Sequence, residues 1–238
     1  MNELSVIYRA CPLELDNHKP GRPAFFDKEK CYKSFYNSFA HKSDIHIVWD
    51  GNTDNRLYKC IEQTSHSVKI HQINVKNNQR SLEYCYDLAY KLPNPYVYFC
   101  EDDYMYLPNS YEFMIDALKL GYNPLTLYEH LDRFLFDDVT KLYVGGTDET
   151  IGQDYIGLTK FGRVRTVEST TCSFACSKNL FDYIKDHLYR FNTDGIGAPL
   201  DRPLWRYVNS NLNIRLWSAI PGLACHMVLP LTPFIDWN

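Results

Sequence analysis

Tyr96-Val97-Tyr98-Phe99-Cys100-Glu101-Asp102-Asp103 is the stretch that orders the rest of the chain. Its first five residues are apolar or aromatic, the pattern of a buried strand, and three acids follow without a break. Adjacent carboxylates repel one another, so a strand ending in such a cluster needs a cation or a donor network beside it. A hard divalent metal, which takes oxygen ligands and bridges to phosphate oxygens, would meet that need. The plainer alternative is a solvated acidic turn before a helix that starts near Asn109.

Upstream of this stretch the chain alternates strand and helix patterns. Leu4 to Arg9 reads as a first strand, ending at the turn Cys11-Pro12. A loop from His18 to Pro23 follows, and Asp27 then fits an N-cap for a helix with Cys31, Phe35 and Phe39 on one face. Ile45 to Trp49 is a second strand, leading into the turn Asp50-Gly51-Asn52-Thr53-Asp54. Val68 to Ile73 is a third, and Ser81 to Leu92 is helical by pattern. This alternation predicts βαβ units in an α/β fold with a largely parallel sheet. Right-handed crossovers then bring the ends of the first, second and fourth strands to one edge, where ligands bind in such folds. Arg9, Asp50 and the acidic triplet stand at those ends.

Beyond about residue 120 the periodicity breaks up. Gly145-Gly146, Asp148 to Asp154 and Lys160 to Arg165 read as loops and short strands, and Thr171 to Ser177 as a strand. A helix is expected from Lys178 to about Tyr189, then a Gly-rich loop from Thr193 to Pro199. A short helix from Asp201 to near Val208 and a last strand from Asn213 to Ile220 complete the pattern.

The 238 residues, 45% of them hydrophobic, suffice for a sizeable core, which argues against disorder. A net charge of −4 argues against a general nucleic-acid-binding surface and leaves room for a local basic pocket suited to phosphate. The eight cysteines form no CxxC pair, and several sit in apolar runs, as buried thiols of a reducing compartment would. No apolar run is long enough to span a bilayer. A soluble cytoplasmic protein is expected, with peripheral membrane contact left open.

Four features, in this order and at these spacings, resemble the GT-A glycosyltransferases, above all the inverting group related to family 2. Ile47-Val48-Trp49-Asp50-Gly51-Asn52-Thr53-Asp54 is similar to the segment whose aspartate binds the nucleotide base. Glu101-Asp102-Asp103 occupies the place of the DxD motif. Leu200-Asp201, ahead of Pro203-Leu204-Trp205, resembles the Glu-Asp motif carrying the catalytic base. Pro221-Gly222-Leu223-Ala224-Cys225-His226 resembles the C-terminal segment that supplies a histidine metal ligand. The chain departs from the pattern at Glu101, at Trp49 and at Leu200, which stands where the family has Glu.

The resemblance implies a Rossmann-like, mostly parallel sheet with helices on both faces and a smaller acceptor-side region. It implies one domain over residues 1–238: a nucleotide-sugar-binding half to 104 and an acceptor-binding, catalytic half from 105. Asp103 and His226 would hold Mn²⁺ or Mg²⁺ across the donor diphosphate; the imidazole favours Mn²⁺. Asp102 would accept from the ribose hydroxyls and Asp50 from the base. Arg9 and Arg80 are candidate phosphate-facing cations, and Asn78 is a polar neighbour of the same half. Asp201 would be the general base for a sugar acceptor hydroxyl, although an Asp two residues before Pro203 is also a good helix start.

The implied partners are a UDP-, GDP- or dTDP-linked sugar and a carbohydrate acceptor. Tyr128 to Arg133 groups acids, a base and an aromatic close enough to line the same cleft, and solvated loop or internal salt bridges are its plainer readings. Trp205 and Trp217 suit either sugar stacking or the core. A sugar-phosphate nucleotidyltransferase would need a Gly-rich signature after the first strand, where this chain has Lys19-Pro20-Gly21-Arg22-Pro23. A non-catalytic carbohydrate-binding protein on the same scaffold is the remaining alternative, and the charge disfavours a two-metal nuclease.

Overall fold

The structure, a computed structural model, describes residues 2–12, 21–129, 155–192, 200–229, 231 and 235–237, together with the strands Phe134–Asp137 and Leu142–Gly145. The expectations for 18–20, 130–133, 146, 148–154 and 193–199 fall outside the described residues.

The first half alternates as expected: β1 (Leu4–Ala10), α1 (Lys28–Phe39), β2 (Asp44–Asp50), α2 (Arg56–Glu62), β3 (Val68–Ile73), α3 (Asn78–Lys91) and β4 (Tyr96–Glu101). Then come β5 (Tyr104–Tyr106), α4 (Ser110–Lys119), β6 (Leu125–Thr126), β7 (Phe134–Asp137), β8 (Leu142–Gly145), β9 (Ile156–Leu158), β10 (Arg163–Val167) and β11 (Phe174–Ser177). The chain continues through α5 (Lys178–Arg190), α6 (Asp201–Leu212), β12 (Leu216–Ile220) and β13 (Ala224–His226).

A nine-stranded sheet in the order β3-β2-β1-β4-β11-β6-β12-β10-β9 runs through the molecule. β1 pairs in parallel with β2 and β4, and β2 with β3, while β11 and β10 run against their neighbours. Alternation along β1 shows why both faces are covered. Leu4, Val6 and Tyr8 pack into one core with Phe35 and Phe39 of α1. Ile7 faces the other core, which holds Leu82 of α3, Phe181 of α5 and Trp205 of α6. Strands buried on both faces need near-continuous apolar sequence, which is what β1, β2 and β4 have.

Local rules explain the helix ends. Asp27 caps α1, its carboxylate accepting from the amide of Glu29 at 2.7 Å. Cys31, Phe35 and Phe39 are buried, and the Phe35 ring stacks on Tyr8 at 4.4 Å between centroids. The second half needs three corrections and the first half one addition, α2. α6 runs past Val208 to Leu212, where Asn213 closes it in the left-handed conformation (φ 54°), so β12 begins only at Leu216. β11 begins at Phe174, because Thr171 and Cys172 turn with φ of 47° and 66°. The N-cap of α6 is Leu200, so Asp201 is a first-turn residue and does not cap it. α2, at 7 residues, is too short for a periodic pattern to reveal.

The order β3-β2-β1-β4 places a topological switch point between β1 and β4. Ligands bind in open α/β sheets outside the strand ends at such a point. Arg9 of β1 is in register with Glu101 of β4 there, and the acids follow at once.

Candidate active site

A small second sheet completes the switch point. β5 pairs antiparallel with β13 so that Tyr104 lies opposite His226. The Met227 amide donates to the Asp103 carbonyl at 2.9 Å, which locks the C-terminal segment beside the acidic turn. His226 Nε2 thereby comes 3.0 Å from Asp103 Oδ2, although 123 positions separate the two residues. The imidazole stacks on Tyr104 (5.0 Å) and meets Tyr128 edge-on (6.2 Å), which fixes its plane. Gly222 permits the approach of the upstream turn, since a Cβ there would stand 2.9 Å from that of Glu129.

Asp103 is buried, and its Oδ2 also accepts from Arg22 Nη2 at 2.9 Å. Asp103 and His226 are the two side chains here that could hold a divalent cation, and in the structure they meet at hydrogen-bond distance. One carboxylate and one imidazole suit Mn²⁺ better than Mg²⁺. Among the described residues no cluster of three or more His, Cys, Asp or Glu forms.

Asp102 points the other way. Its Oδ2 accepts from Lys28 Nζ at 2.9 Å and from the Cys11 amide at 2.8 Å. Burial pushes its carboxyl above the usual range and the neighbouring Asp103 charge adds to this, against the downward pull of Lys28 and the amide. Lys28 is itself buried and also reaches the Cys11 carbonyl at 3.2 Å. Sequence reasoning missed it, because a lysine in the first turn of an amphipathic helix carries no sign of burial.

Asp50 is buried at the end of β2, and its Oδ1 accepts from the amides of Val75 (2.9 Å) and Lys76 (3.0 Å). It thus anchors the loop between β3 and α3. Arg9 forms an ion pair with Glu101 and donates to Asn78 Oδ1 and, at 2.9 Å, to Ser81 Oγ. Arg9 and Asn78 are therefore brought together and face each other. Arg80 is exposed in the first turn of α3, and no side-chain contact to it is seen among the described residues.

Asp201 stands at the start of α6. Its Oδ2 accepts from Ser169 Oγ (2.6 Å) and the amides of Thr170 (2.7 Å) and Thr171 (3.0 Å). Its Oδ1 accepts from Thr170 Oγ1 (2.6 Å), Trp205 Nε1 (3.0 Å) and the Cys172 amide (3.4 Å). Successive amides converging on one anion form a nest. Holding Thr171, a β-branched residue, at positive φ is costly. The Tyr104 hydroxyl helps to hold it, contacting the Thr171 hydroxyl and donating to its carbonyl at 3.1 Å. The Asp201 loop and the Asp103–His226 pair are thus connected through Tyr104. No motif marks Ser169–Cys172 or Tyr104 in the sequence.

Of Tyr128–Arg133 the first two residues are described. Tyr128 packs on His226, and the buried Glu129 accepts from the Gly222 amide at 3.0 Å. Burial raises the Glu129 carboxyl, opposed by that amide and by Arg165. Trp205 is core and Trp217 is partly buried against Tyr122, so neither is a free stacking platform.

Sheet order, crossover pattern and switch point define the GT-A fold, and comparison with solved structures bears this out. The 1–349 fragment of S. aureus TarS superposes with a TM-score of 0.54 at 12% identity over 92% of this chain. Similar superpositions come from that fragment "in complex with UDP" (TM-score 0.51, 12% identity) and "in complex with UDP-GlcNAc" (0.52, 11%), each over 92% of this chain. The chain covers 58%, 57% and 56% of those structures, so it spans little more than half of each. No protein-family model matches the sequence. No curated protein matches it either.

Proposed function

We propose that this chain is a metal-dependent, inverting glycosyltransferase that moves a sugar from a nucleoside diphosphate to a carbohydrate hydroxyl. The observation that carries this reading is the meeting of Asp103 with His226 at the β1/β4 switch point, in a fold whose solved relatives include UDP and UDP-GlcNAc complexes. Residues 1–104 would bind the nucleotide sugar and 105–238 the acceptor.

Asp103 and His226 would hold the cation. When bound, a divalent ion supplies charge neutralisation at the leaving diphosphate. Asp102, fixed by Lys28 and Cys11, would accept from the ribose hydroxyls, and Asp50 from the base. Arg9, Asn78 and Arg80 would serve the nucleotide, and reaching a phosphate would require Arg9 to exchange Glu101 for it.

Asp201 would act as general base. A bond forms between the acceptor oxygen and the anomeric carbon as the bond from that carbon to the diphosphate oxygen breaks. The electron pair leaves with the diphosphate and the acceptor proton passes to Asp201; attack from the face opposite the diphosphate inverts the anomeric centre. Two donors to Asp201 are the hydroxyls of Ser169 and Thr170, and a hydroxyl can rotate to free a carboxylate lone pair.

The same engagement of Asp201 favours a second reading, a metal-independent carbohydrate-binding protein in which that carboxylate only secures a loop. A thermal-shift panel of UDP, GDP, dTDP and CMP, each with and without Mn²⁺, separates the two. Stabilisation by one nucleoside diphosphate only when Mn²⁺ is present supports the transferase. A response to oligosaccharide but to no nucleotide in either condition selects the binding protein.

A further inference from the structure

The Asp103 carboxylate already holds a cation of the chain itself. Arg22 Nη2 lies 2.9 Å from Oδ2, the same oxygen that His226 Nε2 approaches at 3.0 Å. The contact is built from several sides. Arg22 Nη1 donates to the Met227 carbonyl at 2.8 Å, next to His226. Its guanidinium lies 4.3 Å from the centre of the Phe26 ring, and the Leu229 amide donates to the Gly21 carbonyl. The Arg22 side chain is largely enclosed and that of Asp103 almost wholly so. Screening between these charges is therefore weak.

A divalent ion held by Asp103 and His226 would bring a second positive charge to the carboxylate that the guanidinium already meets. In this enclosed setting two positive groups on one carboxylate repel each other, so each weakens the other's hold on Asp103. We propose that Arg22 is an internal counter-cation that competes with the metal for Asp103 and so couples metal binding to nucleotide binding. This rests on the metal assignment in the proposed function. The diphosphate offers the displaced guanidinium a bidentate anionic partner, so its arrival lowers the cost of moving Arg22. Metal and nucleotide then strengthen each other's binding, as linkage requires of any such coupling.

The test is the affinity for Mn²⁺, read from the paramagnetic resonance signal of the free ion, with and without UDP. The protein as it stands should bind Mn²⁺ weakly alone and at least tenfold more tightly with UDP. Arg22→Gln should bind Mn²⁺ alone about tenfold more tightly and show a smaller gain from UDP, whereas Arg22→Lys, which keeps the charge, should stay near the parent. Modification of Arg22 by phenylglyoxal in the unaltered protein gives a readout independent of variant folding: Mn²⁺ should accelerate it. If Arg22→Gln leaves the affinity for Mn²⁺ alone unchanged, or Mn²⁺ leaves the reactivity of Arg22 unchanged while UDP-dependent metal binding persists, this inference fails and the metal site stands. If no form binds Mn²⁺ under either condition, both fall.

Discussion

His226 closes on Asp103 because β13 pairs with β5 in a register that sets His226 opposite Tyr104, the residue after Asp103. Backbone pairing, and not the side chains alone, therefore fixes the distance between the two candidate ligands. Asp103→Asn should abolish the Mn²⁺ dependence of nucleotide binding, and His226→Gln should weaken it. Both effects should exceed the roughly 10–100-fold that loss of an outer-shell partner costs. Calorimetric titration of the matching nucleotide with Mn²⁺ checks this. Retention of metal-enhanced binding by Asp103→Asn would remove Asp103 from the metal assignment.

Lys28 and Asp102 form an ion pair in which both side chains are almost fully buried. Removing one partner leaves an uncompensated charge, so Lys28→Met should cost about 3–5 kcal/mol. For a chain of this size that corresponds to a fall in Tm on the order of 6–20 °C. Lys28→Met combined with Asp102→Leu should recover most of the loss, because an apolar pair of similar volume replaces a buried ion pair at little cost. Differential scanning calorimetry decides it. A double variant no more stable than Lys28→Met alone would show that the pair is not the source of the effect.

The sequence showed the first half of the fold well because β1, β2 and β4 are apolar runs and β3 alternates apolar with polar residues, set between helices whose buried faces repeat at helical spacing. It also showed which side chains would gather at one edge, since parallel crossovers bring the ends of β1 and β4 together. What each carboxylate touches was not legible. Asp102 and Asp103 are neighbours in sequence, yet one turns to Lys28 and the other to Arg22 and His226. That split depends on residues from α1, the preceding loop and β13, which no local pattern connects. The turn at Thr171 and Cys172 was equally hidden, because it contains no Gly, Asn or Pro and its backbone, besides the Ser173 amide to Thr170 carbonyl bond, is held by Asp201 and Tyr104 from distant elements.

His46 of β2 is buried with its Nδ1 3.0 Å from Nε2 of His71 on β3. Burial, followed by the charges of His71 and Lys69 and opposed by Asp44, lowers the His46 imidazole from 6.5 to about 4. The folded state therefore binds this proton less readily than the unfolded chain does. Stability from His46 is complete above pH 6.5 and is lost as the pH falls toward 4. Allowing for partial solvent contact, the loss should be about 2 kcal/mol. Urea denaturation of the parent and of His46→Leu across that window should show their stability difference change by this amount. Parallel pH profiles would mean that His46 takes up no proton on unfolding.

Asp201→Asn distinguishes a base from a clamp. The amide retains one acceptor oxygen and turns an NH₂ group toward donors that now meet a carboxylate. Stability should drop by about 2–3 kcal/mol, because hydrogen bonds to a charged group are lost. If Asp201 is the base, turnover should fall by roughly 10²–10⁴ with nucleotide affinity nearly unchanged. Trp205→Phe supplies the control: it removes one donor at 3.0 Å and leaves the carboxylate in place. It should lower Tm while reducing turnover by less than about tenfold, since most of the donors that orient Asp201 remain. Two results would count against a base. Transfer retained in Asp201→Asn would reduce the carboxylate to a loop anchor. Equal losses in the two variants would make Asp201 a positioning residue, acting through the Ser169–Cys172 turn and through Tyr104, which links that turn to the Asp103–His226 pair.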